Sequence, residues 1–96
     1  MTVRVTLNCP LKQSSIVDLL PFLAENLPNV RAFDGNKRVN IFIDKANNEM
    51  LIDEDWSSPE HHQRYMEFIS NNGIMEQLAA FLTLPPTIKY FDQVDI

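Results

Sequence analysis

The fold is decided by EMLIDEDWSSPE, residues 49 to 60, where a strand pattern passes directly into a helix start. Apolar and polar residues alternate from Glu49 to Trp56, which is the period of a β-strand. Glu54 therefore points the same way as the apolar residues of this strand. That face carries Met50, Ile52, Glu54 and Trp56.

The helix that follows has the clearest start signal in the chain. Ser57 and Ser58 are residues that favour an N-cap, and Pro59 suits the first turn of a helix. The spacing Ser57-x-x-Glu60 matches a capping box. These residues predict a helix that runs to about Ile69 and breaks at residues 71 to 73, with a last helix from about Ile74 to Leu82.

The chain before residue 49 predicts two further strands and a helix. Thr2 to Cys9 alternates as a strand, and Ser14-Ser15 can cap a helix that Pro21 loosens, so that it is regular only from about Leu20. Asn26 to Asn29 is expected to end this helix. Residues 30 to 33 then predict the start of an interrupted second strand, with a turn or bulge at 34 to 36, an alternating part at 38 to 44 and a hairpin at 46 to 48.

Thr87 to Asp92 predicts a closing strand after Pro85-Pro86. The order β-α-β-β-α-β is that of the α+β ferredoxin-like sandwich, a four-stranded antiparallel sheet with its helices on one face. The other face still needs a cover. A second copy of the chain can supply it, so the sequence predicts a homodimer that forms an α+β barrel.

Composition limits the function classes. The 96 residues suit one domain, 1-96, and a net charge of −5 without a Lys/Arg cluster argues against nucleic acid and anionic membranes as partners. No apolar run approaches the roughly 20 residues of a membrane helix, and residues 1 to 7 alternate, unlike a signal peptide. Cys9 is the single cysteine, which excludes an intrachain disulfide and favours a reducing cytoplasm.

The residues themselves resemble a known family. Asp-Glu-Asp-Trp-Ser-Ser-Pro-Glu-His-His at 53 to 62 is followed by the helical aromatic Tyr65, by Leu78 to Leu84, and by Pro85-Pro86 with a short strand. This order resembles the antibiotic biosynthesis monooxygenase (ABM) family of small dimeric α+β barrel proteins, and residues 33 to 35 are similar to the bend before that family's second strand. The resemblance spans essentially the whole chain. It implies an obligate dimer with a pocket between sheet and helices in each subunit.

Known activities of that family include cofactor-independent oxygenation of quinols and polyketide aromatics, haem degradation, and isomerisation of a sugar-derived signal. Members that resemble quinol monooxygenases commonly carry a histidine nine positions after the aromatic that ends the third strand, where this chain has Tyr65. The haem-degrading branch uses an asparagine, which Asn8 matches, and a tryptophan and a histidine, where Tyr65 and Met75 stand. Haem is therefore not expected, and no cofactor is predicted.

The candidate catalytic residues are His61, His62, Tyr65 and Asn8. Tyr65 lies one helical turn after His61 and three residues after His62, so a phenol and an imidazole can share a face and move a proton of a quinol hydroxyl. Alternatively, Tyr65 belongs to the core and the histidines are partly exposed helix residues. Asn8 either orients a substrate oxygen or satisfies a strand end beside Pro10.

The expected substrate-binding wall consists of Trp56, Phe22, Phe68 and Phe81, although the role of core anchor is favoured for Trp56 over stacking on a ligand. Glu54, if buried, is either a base of raised pKa or a partner of Arg4 or Arg38. No metal site is expected, because adjacent residues such as His61-His62 and Asp53-Glu54-Asp55 diverge rather than converge on one ion.

Two functions fit these residues. The first is a dimeric monooxygenase without a cofactor that oxidises a small aromatic, a phenol or a quinol with dioxygen. The second is a non-catalytic dimeric barrel that binds a small hydrophobic ligand or has a structural role.

Overall fold

The computed structural model describes residues 2 to 96, and it has the predicted fold class. The elements are β1 (Val3–Pro10), α1 (Ile16–Ala32), β2 (Asn36–Asp44), β3 (Glu49–Trp56), α2 (Pro59–Asn71), α3 (Ile74–Ala79) and β4 (Thr87–Asp92). The four strands form one antiparallel sheet in the order β2-β3-β1-β4, with the helices against one face. The ferredoxin-like α+β order expected from the sequence is confirmed.

Alternation sorts the central strands into two faces. The core face, which the helices cover, carries Val3, Val5, Leu7 and Cys9 of β1, all buried. In the register of β1 and β3, Val3 pairs with Trp56 and Val5 with Glu54, so these two residues of β3 also lie on the core face. The predicted faces of both strands are confirmed.

The opposite side of the sheet, the far face, carries a charged cluster. The guanidinium of Arg4 contacts the carboxylate of Asp53 at 2.8 Å, and Arg38 contacts Asp55 at 2.7 Å. Arg38 also reaches Asp53 at 3.2 Å. The two arginines therefore pair with the acids on either side of Glu54 in sequence and not with Glu54 itself.

Helix α1 differs from its prediction. It is helical from Ile16 and continues through Pro21 and Pro28 to Ala32, instead of ending near Asn26. The two prolines are seven residues apart, so both rings lie on one solvent-exposed side, where water can satisfy the carbonyls that lack a partner. Burial of Leu19, Leu23 and Val30 on the other side holds the helix together.

The predicted start of β2 near residue 30 is therefore wrong. Residues 30 to 32 belong to α1 and not to a strand, because Val30 is buried as part of the helical apolar stripe. The chain turns at Gly35, with φ +92°, and β2 begins at Asn36 with a register shift before Arg38. The predicted irregularity is therefore present, but it stands at the beginning of the strand.

Helix ends also differ in detail. Ser58, not Ser57, is the N-cap of α2. Its Oγ accepts a hydrogen bond from the backbone N–H of His61 at 3.2 Å and contacts Nδ1 of the His61 ring at 2.6 Å. Ser15 occupies the N-cap of α1, but its hydroxyl donates to the carbonyl of Lys12 instead of capping. Helix α3 ends at Ala79, three residues before the predicted end.

Candidate active site

An inner cavity of about 50 Å³ lies between the core face of the sheet and the helices. Three of its lining side chains carry groups that can titrate: Glu54 from β3, and His62 and Tyr65 from α2. Most of the remaining lining is apolar, and includes Leu7, Phe22, Ile41, Ile52, Met66 and Leu78. An apolar lining with a few convergent polar groups is the composition found in small-molecule sites.

His62 is fully buried, with 0% of its surface exposed. Its Nδ1 lies 2.8 Å from the hydroxyl of Tyr90 on β4. Its Nε2 lies 3.5 Å from Oε1 of Glu54 and has no hydrogen-bond partner among residues 2 to 96. Burial lowers the pKa of His62 to about 4, so the imidazole is neutral at neutral pH.

Glu54 is also buried, and no Lys or Arg side chain of the described residues forms an ion pair with its carboxylate. Oε1 accepts a hydrogen bond from Nε1 of Trp56 at 3.0 Å. Burial raises the pKa of Glu54 to about 7, because it disfavours the charged carboxylate. The hydrogen bond from Trp56 and the charge of Arg38 both lower this pKa, but they do not offset the effect of burial. The group therefore titrates near neutral pH, as a general base or acid requires.

Tyr65 closes the site on the helix side. Burial raises the pKa of its hydroxyl well above the ordinary value, with the nearby charge of Glu54 adding to the effect, so the phenol stays protonated. Its ring packs against Trp56 at 5.4 Å and against Phe33 at 5.2 Å between centroids. These contacts fix the side chain between the cavity and the surface.

An outer groove of about 420 Å³ lies between α1 and α2 and adjoins the inner cavity. Cavity and groove share Asn26, Tyr65, Ile69 and Ile74 as lining residues. The groove also holds Phe68, which is half exposed and packs against Phe33 at 5.5 Å. Tyr65 thus stands between a solvent-open groove and the buried acid and imidazole.

Solved structures show what this architecture is similar to. Rv0793 from Mycobacterium tuberculosis superposes with a TM-score of 0.82 and 17% identity over 100% of this chain and 98% of that one. A protein named antibiotic biosynthesis monooxygenase superposes with a TM-score of 0.84 and 16% identity over 97% of this chain and 99% of that one. A Bordetella bronchiseptica protein named "Putative antibiotic biosynthesis monooxygenase" superposes with a TM-score of 0.85 and 13% identity over 97% of both chains. This chain has the ABM fold.

No family model matches the sequence, and no curated protein matches it either. At identities of this size the structural neighbours establish the fold alone. The resemblance carried by residues 53 to 62 and by the helices and strand after them is thereby confirmed at the level of the ABM fold.

Within the ABM fold, several of the candidate residues come together. His62, Tyr65 and Phe22 line the inner cavity. Phe81 packs behind Phe22 at 5.4 Å between ring centroids, and Trp56 lies behind His62 at 5.5 Å. Phe68 lies in the outer groove instead of the cavity.

Asn8 and His61 are not brought to this site. Asn8 follows the alternation of β1 onto the far face, where its amide donates to Glu49 at 2.7 Å, so it satisfies a strand end as the alternative interpretation held. His61 lies in the first turn of α2, where its ring nitrogen Nδ1 contacts the hydroxyl of the N-cap Ser58 at 2.6 Å and its Nε2 faces Asp34 at 3.8 Å. Adjacent helical residues diverge by about 100°, which separates His61 from the buried His62.

One residue of the site, Tyr90, was not among the residues named from the sequence. Glu54 was named there, because the alternation of β3 places it on the apolar face, as either a base of raised pKa or a partner of Arg4 or Arg38. Tyr90 is different, because only the pairing of β4 with β1, with Tyr90 opposite Val5, brings its hydroxyl to His62. Nothing local in the sequence indicates this pairing.

Two further observations concern residues 2 to 96. No three of their His, Cys, Asp and Glu side chains are grouped so that they could hold a metal ion. None of their helices is long and apolar enough to cross a membrane.

Proposed function

We propose that this protein is a member of the ABM family and a cofactor-independent monooxygenase that acts on a small phenol or quinol in the inner cavity. One observation carries the proposal: Nε2 of the fully buried His62 faces Glu54 at the cavity without a hydrogen-bond partner. Buried polar atoms are nearly always satisfied, so an unpaired one beside a cavity indicates a polar ligand group. A hydroxyl on an otherwise apolar molecule matches both the nitrogen and the lining.

The reaction needs no reductant besides its substrate. A quinol and one dioxygen give a hydroxyquinone and one water: one oxygen atom enters the ring, and the other takes the two remaining hydrogens. The substrate supplies all four electrons. The chain has to bind the ring, exclude water and move protons, and the buried polar groups support those tasks.

The candidate residues take different parts in this proposal. His62 and Tyr65 contact the substrate hydroxyl, Phe22 contacts the ring, and Phe81 and Trp56 hold these groups from behind. Phe68 lies on the path through the outer groove. Asn8 and His61 have no part in it, because they lie elsewhere in the molecule.

The size of the cavity means that the substrate has to displace side chains. An apolar cavity of roughly 150 Å³ accommodates benzene in another protein, whereas the inner cavity is about 50 Å³. Met66 and Met75 line it, and methionine adapts readily to a new shape. The adjoining groove offers the direction of opening.

The experiment is native mass spectrometry of the protein as purified from its host, followed by oxygen uptake with a panel of quinols and phenols. We expect a bound aromatic and oxygen consumption that falls at least tenfold in His62→Ala and Tyr65→Phe. His61→Ala is the matched control and should keep the activity. Full activity in both site variants would show that these roles are wrong.

The mostly apolar lining of the cavity favours one alternative function. A non-catalytic dimeric barrel that binds a small hydrophobic ligand would need only the apolar lining. It predicts that a ligand is bound without being converted, and that oxygen consumption stays at background with the whole panel.

We also propose that the protein is a homodimer whose subunits meet through the far faces of their sheets. Phe42 is 53% exposed and Phe91 48% exposed on that face, and residues 2 to 96 form no second layer over them. The proposal includes a cytoplasmic location. The buried, free thiol of Cys9 supports it, because thiols stay reduced in that compartment.

A further inference from the structure

We propose that Glu54 is the base of this site: its carboxylate accepts the proton of the substrate hydroxyl, while Nε2–H of a neutral His62 donates a hydrogen bond to the oxyanion that forms. The inference rests on the proposed function and goes beyond it, because it assigns the proton to a residue outside the histidine and tyrosine pair.

Geometry is the first argument. Glu54 and His62 line the same cavity from opposite sides, one from the sheet and one from α2, with Oε1 and Nε2 3.5 Å apart. A hydroxyl oxygen beside both atoms can donate to the carboxylate and accept from the nitrogen. Such a hydroxyl gives the buried Nε2 the partner that it lacks.

The tautomer of His62 also supports Glu54 as the base. The Tyr90 hydroxyl lies 2.8 Å from Nδ1 and can donate to it, which leaves the ring proton on Nε2. The carboxyl oxygen 3.5 Å from Nε2 favours the same tautomer, since an acceptor stabilises an N–H beside it. An imidazole in this form is a donor toward the cavity and not a base, and Tyr90 is its positioning residue.

Three groups that line the cavity could take the proton: His62, Tyr65 and Glu54. Burial lowers the pKa of His62 to about 4, which makes the ring a poor base at neutral pH, and Tyr65 stays protonated. Burial raises the pKa of Glu54 to about 7, the range in which a general base works best at neutral pH. The titratable and charged groups around Glu54 are Asp53 on its own strand, Arg38 on β2, Cys9 on β1, His62 and Tyr65 on α2, and Tyr90 on β4.

Asp53 and Arg38 are held in the ion-pair cluster on the far face and do not face the cavity. Burial raises the pKa of the Cys9 thiol to about 12, so it stays protonated. Glu54 is therefore the one group of this set that both faces the cavity and exchanges a proton near neutral pH.

The step itself is a proton transfer. The O–H bond of the substrate breaks, its electron pair stays on the substrate oxygen, and the proton bonds to a carboxylate oxygen of Glu54. The phenolate that remains accepts the hydrogen bond from Nε2 of His62. An electron-rich phenolate is the form that dioxygen oxidises in the proposed reaction.

The test uses 4-cyanophenol without oxygen, because its neutral and ionised forms absorb at different wavelengths and it is largely neutral in water at about pH 7. Wild type, Glu54→Gln and Asp55→Asn are compared. Asp55→Asn is the matched control, since it makes the same carboxyl-to-amide change at the next residue, on the far face. We expect a phenolate band from the bound probe in wild type and the control, and a band at least about fivefold weaker in Glu54→Gln.

A phenolate band of equal strength in Glu54→Gln would overturn the base assignment and leave the proposed function standing. If 4-cyanophenol and the quinol panel bind to none of the proteins, the proposed function fails, and the base assignment with it.

A second measurement is independent of any ligand and of the folding of the variant. The ¹³C chemical shift of the Glu54 side-chain carboxyl, in wild type labelled at glutamate, is followed against pH, with the signal assigned by sequential backbone connection. We expect a midpoint near 7, and a midpoint near the ordinary value of 4.5 would overturn the assignment.

Discussion

At the residue scale, Glu54 and His62 titrate in opposite directions on folding. Burial raises the pKa of Glu54 from 4.5 to about 7 and lowers that of His62 from 6.5 to about 4. Between about pH 4.5 and 6.5 the unfolded chain carries one proton on the imidazole, and the folded chain carries one on the carboxyl. Because both states bind the same number, these two groups leave the free energy of unfolding flat across this window.

Replacing Glu54 by Gln should remove this balance. Only the shift of His62 then remains, and a group whose folded pKa is lowered gives stability that is complete above its unfolded pKa and is lost as the pH falls. We expect the free energy of unfolding of Glu54→Gln, relative to wild type, to decrease from about pH 6.5 to 4 by on the order of 3 kcal/mol. Urea denaturation at a series of pH values measures it.

His62→Gln gives the reverse case in the same experiment. A raised folded pKa gives stability that is complete below the unfolded pKa and is lost as the pH rises, so this variant should lose stability from about pH 4.5 to 7. Asp55→Asn is the control for the carboxyl-to-amide change and should not reproduce the steep loss below pH 6.5. Parallel pH profiles for wild type and both site variants would contradict the opposed shifts.

At the scale of the elements, the bend between α1 and β2 holds α2 in place. Gly35 has φ +92°, and its carbonyl accepts the backbone N–H of Ser57 at 2.8 Å just before α2 begins. A Cβ at Gly35 would lie 2.5 Å from ring atoms of His61. The bend therefore needs glycine both for its backbone conformation and for the close approach of the helix start.

Gly35→Ala should be clearly more destabilising than Gly73→Ala. Gly73 has φ +88°, but a Cβ there would meet nothing within 4 Å, so its substitution carries only the cost of the left-handed backbone, about 1–2 kcal/mol. Gly35→Ala adds a steric clash, typically about 1–3 kcal/mol. Urea denaturation of both variants compares them, and equal losses would mean that the approach of His61 is not a constraint.

The elements also show how far the sequence could predict the fold. The β3–α2 segment was predictable because period, N-cap residues and first-turn proline all agree there. In α1 they disagree: Pro21 and Pro28 favour a short helix, whereas the buried Leu19, Leu23 and Val30 require a long one. Tertiary burial decides in favour of the long helix, and a local pattern does not contain that information.

The site was predictable in part for the same reason. His62 and Tyr65 lie three residues apart on α2, and that spacing alone brings them onto one face. Glu54 follows from strand alternation. Tyr90 and the exclusion of His61 depend on strand order and on the exact cap residue, which only the assembled chain fixes.

At the scale of the whole molecule, the part of the chain that the structure describes leaves one face of the sheet uncovered. Helices bury the core face, while β4 is exposed along its length and the far face presents Phe42 and Phe91. Between these two residues lies the charged cluster of Arg4, Arg38, Asp53 and Asp55. Because the cluster contains arginines and acids, the arginines of one copy can face the acids of a second copy that is related by a two-fold axis. Such packing would bury the apolar residues and place the two inner cavities on the outer sides of the dimer.

Sedimentation at micromolar concentration should therefore give a particle of twice the 11.1 kDa chain mass. Phe42→Glu should weaken this dimer, because it places a carboxylate in the apolar part of the interface, where burial of a charge is costly. Phe68→Glu is the matched control: Phe68 is 50% exposed and Phe42 53%, but Phe68 lies on the helix side and away from the far face. A monomer of wild type would contradict the dimer, and equal dissociation of both variants would locate the interface elsewhere than on the far face.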